Sequence, residues 1–148
     1  MRFRHIVLTA ALLPLLAACG GDTDEKPAAP ETPVLEQAYE PCRQQAEDTL
    51  AEIKTDTVAD DIIRLEDDGT TVIVSTPEPG GDIASGLALD TARCVLDETG
   101  APATISEKMG TASAMSGPGE DSYDGISAEW SYAAGVGNAG FNAYFRSE

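Results

Sequence analysis

Histidine is almost absent from this 148-residue chain; His5 is the only one. Lysine is sparse as well, limited to Lys26, Lys54 and Lys108. Hydroxyl or thiol nucleophiles need a base within hydrogen-bond reach, most often an imidazole. If the first residues are removed, Ser-His-Asp and Cys-His arrangements are excluded. No serine motif beside Lys54 or Lys108 reads as a Ser-Lys pair. Cations are short too: 9 Lys and Arg against 26 Asp and Glu, a formal charge of −17. Phosphate neutralisation needs Lys and Arg, so this balance argues against nucleic acid and disfavours anionic lipid headgroups. Its plain reading is solubility; an acidic docking surface is the sharper one. No apolar run reaches the roughly 20 residues that cross a bilayer. Three cysteines with no histidine beyond position 5 do not compose a zinc site.

The N-terminus carries the clearest signal. Met1-Arg2-Phe3-Arg4-His5 is basic without an acid, and Ile6 to Ala18 is apolar, broken only by Thr9 and Pro14. A basic head and an apolar stretch of this length have the pattern of a signal peptide. Leu16-Ala17-Ala18-Cys19-Gly20 follows and resembles the lipobox of bacterial lipoproteins. The resemblance implies that residues 1–18 are removed and that the Cys19 thiol carries a diacylglyceryl group. The alternative is an ordinary signal peptide cut at an Ala-x-Ala-like site, which Ala17 and Ala18 permit. A cysteine closing the apolar run, with a polar segment directly after it, favours the lipoprotein. Each buried methylene contributes about 0.8 kcal/mol, so one acyl chain binds marginally and two or three hold durably. The expected place is the cell envelope, at the outer face of the cytoplasmic membrane, or at the outer membrane where the organism has one. Cleavage would also remove Arg2 and Arg4, taking the charge from −17 to −19.

With Cys19 assigned to lipid, Cys42 and Cys94 remain. An even remainder in an oxidising space suggests one disulfide. It would close a loop of 52 residues, for which loop entropy gives about 4 kcal/mol. Two unpaired buried thiols are the alternative.

Residues 20–33 are rich in glycine, proline and acid and hold no large apolar side chain. With Cys19 they read as a lipidated, disordered tether over 19–33. Residues 34–148 suit a single domain. From Val34 to about Thr55, Leu35, Tyr39, Cys42, Ala46, Leu50 and Ile53 recur at helical spacing. Pro41 either kinks this helix or stands in its first turn. Ile62–Leu65 and Thr71–Ser75 flank Asp67-Asp68-Gly69 and read as a hairpin. Asp82 is expected to cap a helix from Ile83 to about Glu98 with Leu87, Ala88, Thr91, Cys94 and Val95 on one face, stopped by Gly100 and Pro102. Residues 102–109 suggest a short helix with Ile105 and Met109 inward, and 116–124 a loop. Ile126–Tyr132 and Phe141–Arg146 alternate as a final hairpin. Six of the seven aromatics beyond Phe3 fall in residues 123–145, so this hairpin should supply much of the core. The expected class is α+β, order α-β-β-α-α-β-β, with helices on one face of an antiparallel sheet and the disulfide joining the two main helices.

Gly135-Val136-Gly137-Asn138-Ala139-Gly140 has G-x-G-x-x-G spacing, but a dinucleotide loop must open a helix. A strand pattern follows instead, so no cofactor is expected. Glu66-Asp67-Asp68 and Glu120-Asp121 with Asp124 lack EF-hand spacing and read as solvated turns; a weak calcium site is the alternative. Paired-carboxylate hydrolysis stays open because acids abound, yet no two stand out, and no catalytic residue is assigned. Tyr144 and Arg146, on the outward parity of the last strand, are the best candidate partner surface, since aromatics and arginine carry interface energy. Core packing with an amphipathic rim is the plainer reading.

Cys94-Val95-Leu96, Pro102 with its Ile-x-x-x-Met helix, Asp124-Gly125-Ile126 and Trp130-Ser131-Tyr132 together resemble small uncharacterised secreted proteins and lipoproteins of high-GC Gram-positive bacteria, over roughly residues 90–135. A histidine after the aromatic strand is missing here. The resemblance implies no activity and no site. Two classes of function follow: a lipid-anchored binding or accessory module that docks onto an envelope protein, or a small-molecule or metal-ion carrier, with a weak carboxylate-based hydrolase as its variant.

Overall fold

Apolar recurrence at three and four residues builds the first helix, α1 (Val34–Ile53), which buries Leu35, Ala38, Cys42, Ala46 and Leu50 along one stripe. The computed structural model describes residues 32–77, 81–113, 115–133 and 140–148. Pro41 neither starts nor ends α1, which begins at Val34 and continues through it as one helix. The proline forfeits one backbone hydrogen bond on an exposed position. Ile53, expected on the buried stripe, is 44% exposed; it is the last residue of the helix, which stops as Lys54 takes the left-handed conformation (φ 55°).

β1 (Ile63–Glu66) and β2 (Thr71–Ser75) form the first hairpin, pairing Ile63 with Val74 and Leu65 with Val72. Ile63, Val72 and Val74 are fully buried and Leu65 packs beside them. The turn is longer than an Asp-Gly pair: Glu66 faces Thr71, which leaves residues 67–70 to reverse the chain. Asp67 and Asp68 both take positive φ, near 53° and 54°. The Thr71 hydroxyl donates to the Asp67 carboxylate at 2.9 Å, supplying local support for that conformation.

α2 (Asp82–Glu98) turns Leu87, Ala88, Thr91, Cys94 and Val95 inward, as its spacing predicts. Asp82 is not its cap: it is the first helical residue, Gly81 precedes it, and no side chain caps the N-terminus. The carboxylate still stands where the helix dipole favours a negative charge. α3 (Ala103–Gly110) buries Ile105 and Met109. Cys42 and Cys94 are bonded, their Cα atoms 5.6 Å apart, and join α1 to α2.

Residues 116–124 are not all loop. β3 (Gly119–Tyr123) pairs with β4 (Ile126–Ala133) through the two-residue turn Asp124-Gly125. Both turn residues have positive φ, 43° and 76°, the geometry that makes Asp-Gly a favoured hairpin turn. Gly119 faces Trp130 across the pair, and a Cβ at 119 would collide with the indole ring, so only glycine lets the tryptophan lie flat there. β5 (Gly140–Ser147) completes one antiparallel sheet in the order β1-β2-β5-β4-β3. The class is therefore α+β, order α-β-β-α-α-β-β-β. α1 and α2 contact β2 and β5, and α3 contacts α2 and β3. The face beneath them carries Val72, Val74, Ala128, Trp130, Ala143 and Phe145 in the core.

Candidate functional site

Period-two alternation sorts β5 into two sets. Phe141, Ala143 and Phe145 are buried, while Asn142, Tyr144 and Arg146 point to the face that none of the described helices covers. The sequence-derived pair Tyr144 and Arg146 thus stands together on one exposed surface. Register supplies the neighbours. Tyr144 lies between Ile73 of β2 and Glu129 of β4, and Glu129 in turn faces Glu120 of β3. The Arg146 guanidinium donates to the Glu129 carboxylate at 3.2 Å and sits 5.4 Å from the centre of the Tyr144 ring, within reach of a cation–π contact. Arg64, facing Ile73, extends the row and pairs with Glu66 at 3.7 Å. Beside Tyr144 lies an open recess of about 560 Å³, walled by Glu120, Glu129, Trp130, Ser131 and the Pro118-Gly119 segment. Glu129 and Ile73 were not singled out from the sequence, and Glu120 was read only as part of an acidic turn. Alternation puts Glu129 outward, but the pairing that gathers all three around Tyr144 is a long-range fact.

A second depression, of about 410 Å³, opens between the C-terminal end of α1 and the N-terminal end of α2. Leu50, Ile53, Ile62, Pro77, Ile83 and Leu87 make it apolar, and Ile83 is 74% exposed.

The acidic turns hold no converging donor set. Asp67 is engaged by Thr71, and Asp121 is gripped by Lys108 at 2.6 Å. That Lys108 hydrogen bond, with one from the Ser122 amide, lowers the Asp121 pKa below its usual range. Among the described residues no three His, Cys, Asp or Glu side chains come together as a metal site. No helix among them is long and apolar enough to cross a membrane. Cys19 and its lipobox, and residues 135–139 of the glycine motif, lie outside the described residues; Gly140 opens β5, so a strand follows that motif.

Tyr123 closes the β3–β4 hairpin against α2, its hydroxyl 2.7 Å from the Thr99 hydroxyl. The Thr99 hydroxyl also reaches the Val95 carbonyl at 2.6 Å, and either hydroxyl of the Tyr123–Thr99 pair can be the donor. Burial raises the Tyr123 pKa above 10.0; the Thr99 hydrogen bond lowers it, and the nearby Asp124 charge adds to the rise. The folded state thus holds the phenol proton more tightly than the unfolded chain. That contribution to stability is complete below pH 10 and is lost as the pH climbs through the raised value. Tyr123→Phe is expected to cost about 0.5–1.5 kcal/mol at pH 7 and to flatten the alkaline limb of stability. Urea midpoints measured from pH 7 to pH 11 check both; a limb as steep as wild type would discount Tyr123 and leave Tyr39, whose pKa is also raised, first by burial.

No family model, no curated protein and no solved structure matches this chain.

Proposed function

We propose that this protein is exported, anchored at the cell envelope through a lipid on Cys19, and works as a binding or accessory module that contacts another envelope protein. The observation that carries the reading is the pairing of Tyr144 with Arg146 on a sheet face left open by the helices, beside a recess that can admit a partner side chain. A domain held at the membrane surface meets its neighbours there at high effective concentration, so weak contacts suffice. Small-molecule carriage is the second reading, favoured by the apolar depression between α1 and α2.

One experiment tests both parts of the main reading. Envelopes bearing wild type, Cys19→Ala or Tyr144→Ala with Arg146→Ala are mildly crosslinked and the products captured. Cys19→Ala should leave the detergent phase and lose its adducts. The double variant should stay anchored, melt close to wild type and lose partner capture, since truncating one such anchor often costs more than about 1 kcal/mol of binding. Wild-type capture by the folded double variant sinks the surface assignment. Wild-type detergent partitioning by processed Cys19→Ala sinks the anchor.

A further inference from the structure

Two carboxylates on the open sheet face are arranged at a cost to the fold. Glu120 and Glu129 are direct cross-strand partners on β3 and β4, and neighbouring strands lie only about 4.8 Å apart. Like charges so placed are destabilising. Relief is partial: among the described residues Glu129 has one cation, Arg146, and Glu120 has none. The recess extends on the side of Glu129 toward Ser131, and Arg146 is not among its walls. Tyr144 stands next in the same row, offering a ring face to a cation. Arg64, the other cation on this face, is occupied by Glu66. The whole chain carries a formal charge of −17, which draws a cationic partner inward and repels an anionic one.

From this the geometry points to a docking surface for a basic protein segment, with a lysine or arginine side chain of the partner seated in the recess between Tyr144, Glu129 and Glu120. The inference rests on the partner-surface reading above and adds the partner's chemistry. Two carboxylates and an aromatic face suit an ammonium or guanidinium group, which donates charge-assisted bonds to carboxylates, bidentate in the case of guanidinium. They do not suit calcium, which wants about six to eight oxygens. Ser127, Ser131 and Asn142 on the same face leave hydrogen-bonding groups for the partner's backbone.

The test uses the full chain and an aromatic-free peptide, Gly-Lys-Gly-Arg-Gly. Backbone amide shifts followed through a titration report binding and locate it. The expected result is saturable binding with shifts centred on Glu120, Glu129 and Tyr144. Glu120→Gln with Glu129→Gln should weaken it about tenfold or more, the scale of losing charge-assisted bonds. Glu40→Gln with Glu52→Gln removes the same formal charge from α1 and should change it less than about twofold, because exposed distant charges are screened. Equal weakening by both pairs would mean diffuse attraction and overturn the inference, as would no binding at all. Either outcome, with partner capture still lost in the Tyr144/Arg146 variant, overturns the basic-partner inference and leaves the partner surface standing.

Discussion

Replacing Cys42 and Cys94 together by alanine is expected to lower the unfolding free energy by about 2–5 kcal/mol, measured by urea denaturation of the oxidised chain against the double variant. The crosslink spans 52 residues, a loop that encloses the first hairpin and most of α2. Opening it returns that much chain to the denatured ensemble, for which loop entropy gives about 4 kcal/mol. The two sites are also buried, Cys42 fully and Cys94 to 9% exposure, so truncation adds a small cavity on each helix. A denatured state without the crosslink exposes more surface, so the urea dependence should steepen as the midpoint falls. Reduced wild type should fall most of the way to the double variant, since it keeps both sulfurs and loses only the bond. A double variant with the wild-type midpoint and slope would rule out any contribution from the bond.

The elements easiest to see from sequence are those with a sustained apolar period. α1, α2 and β4 show this, and their buried stripes keep that period, with Ile53 at the end of α1 the exception. β3 escaped because Gly119-Glu120-Asp121-Ser122-Tyr123 is poor in β-formers and buries only Tyr123. Its backbone is recruited by the neighbouring strand, and its charges suit an edge. The one local sign was Asp124-Gly125, the tight turn that pairs it with β4. At the candidate surface, alternation alone sets Tyr144 and Arg146 outward. That Glu120 ends opposite Glu129, and that Ile73 flanks Tyr144, depends on strand order. The C-terminal strand inserts between β2 and β4, and no local pattern specifies that long-range pairing. The same insertion explains why so many aromatics sit near the C-terminus: β5 is the centre of the sheet and α2 packs across it.

Phe145→Ala is expected to cost about 3–5 kcal/mol, the largest loss from any single side chain considered. Phe145 is fully buried, and its cross-strand partners are Val72 on β2 and Ala128 on β4. The ring therefore fills space that a valine and an alanine leave under the helices, and neither can expand to fill the void. Its neighbours in sequence make the control. Tyr144 and Arg146 are one residue away on either side, yet the pleat sends them to the open face, where truncation removes surface contacts and one exposed ion pair. Such pairs contribute about 0–1 kcal/mol. A small domain holds about 5–15 kcal/mol in all, so Phe145→Ala alone should bring the chain near its threshold. Combined with loss of the disulfide, it should leave little folded protein at 37 °C. Circular dichroism melts of Phe145→Ala, Tyr144→Ala and Arg146→Ala measure the contrast directly. Similar melting temperatures for all three would mean that β5 does not sort its side chains by face, and the sheet register described above would fall with that result.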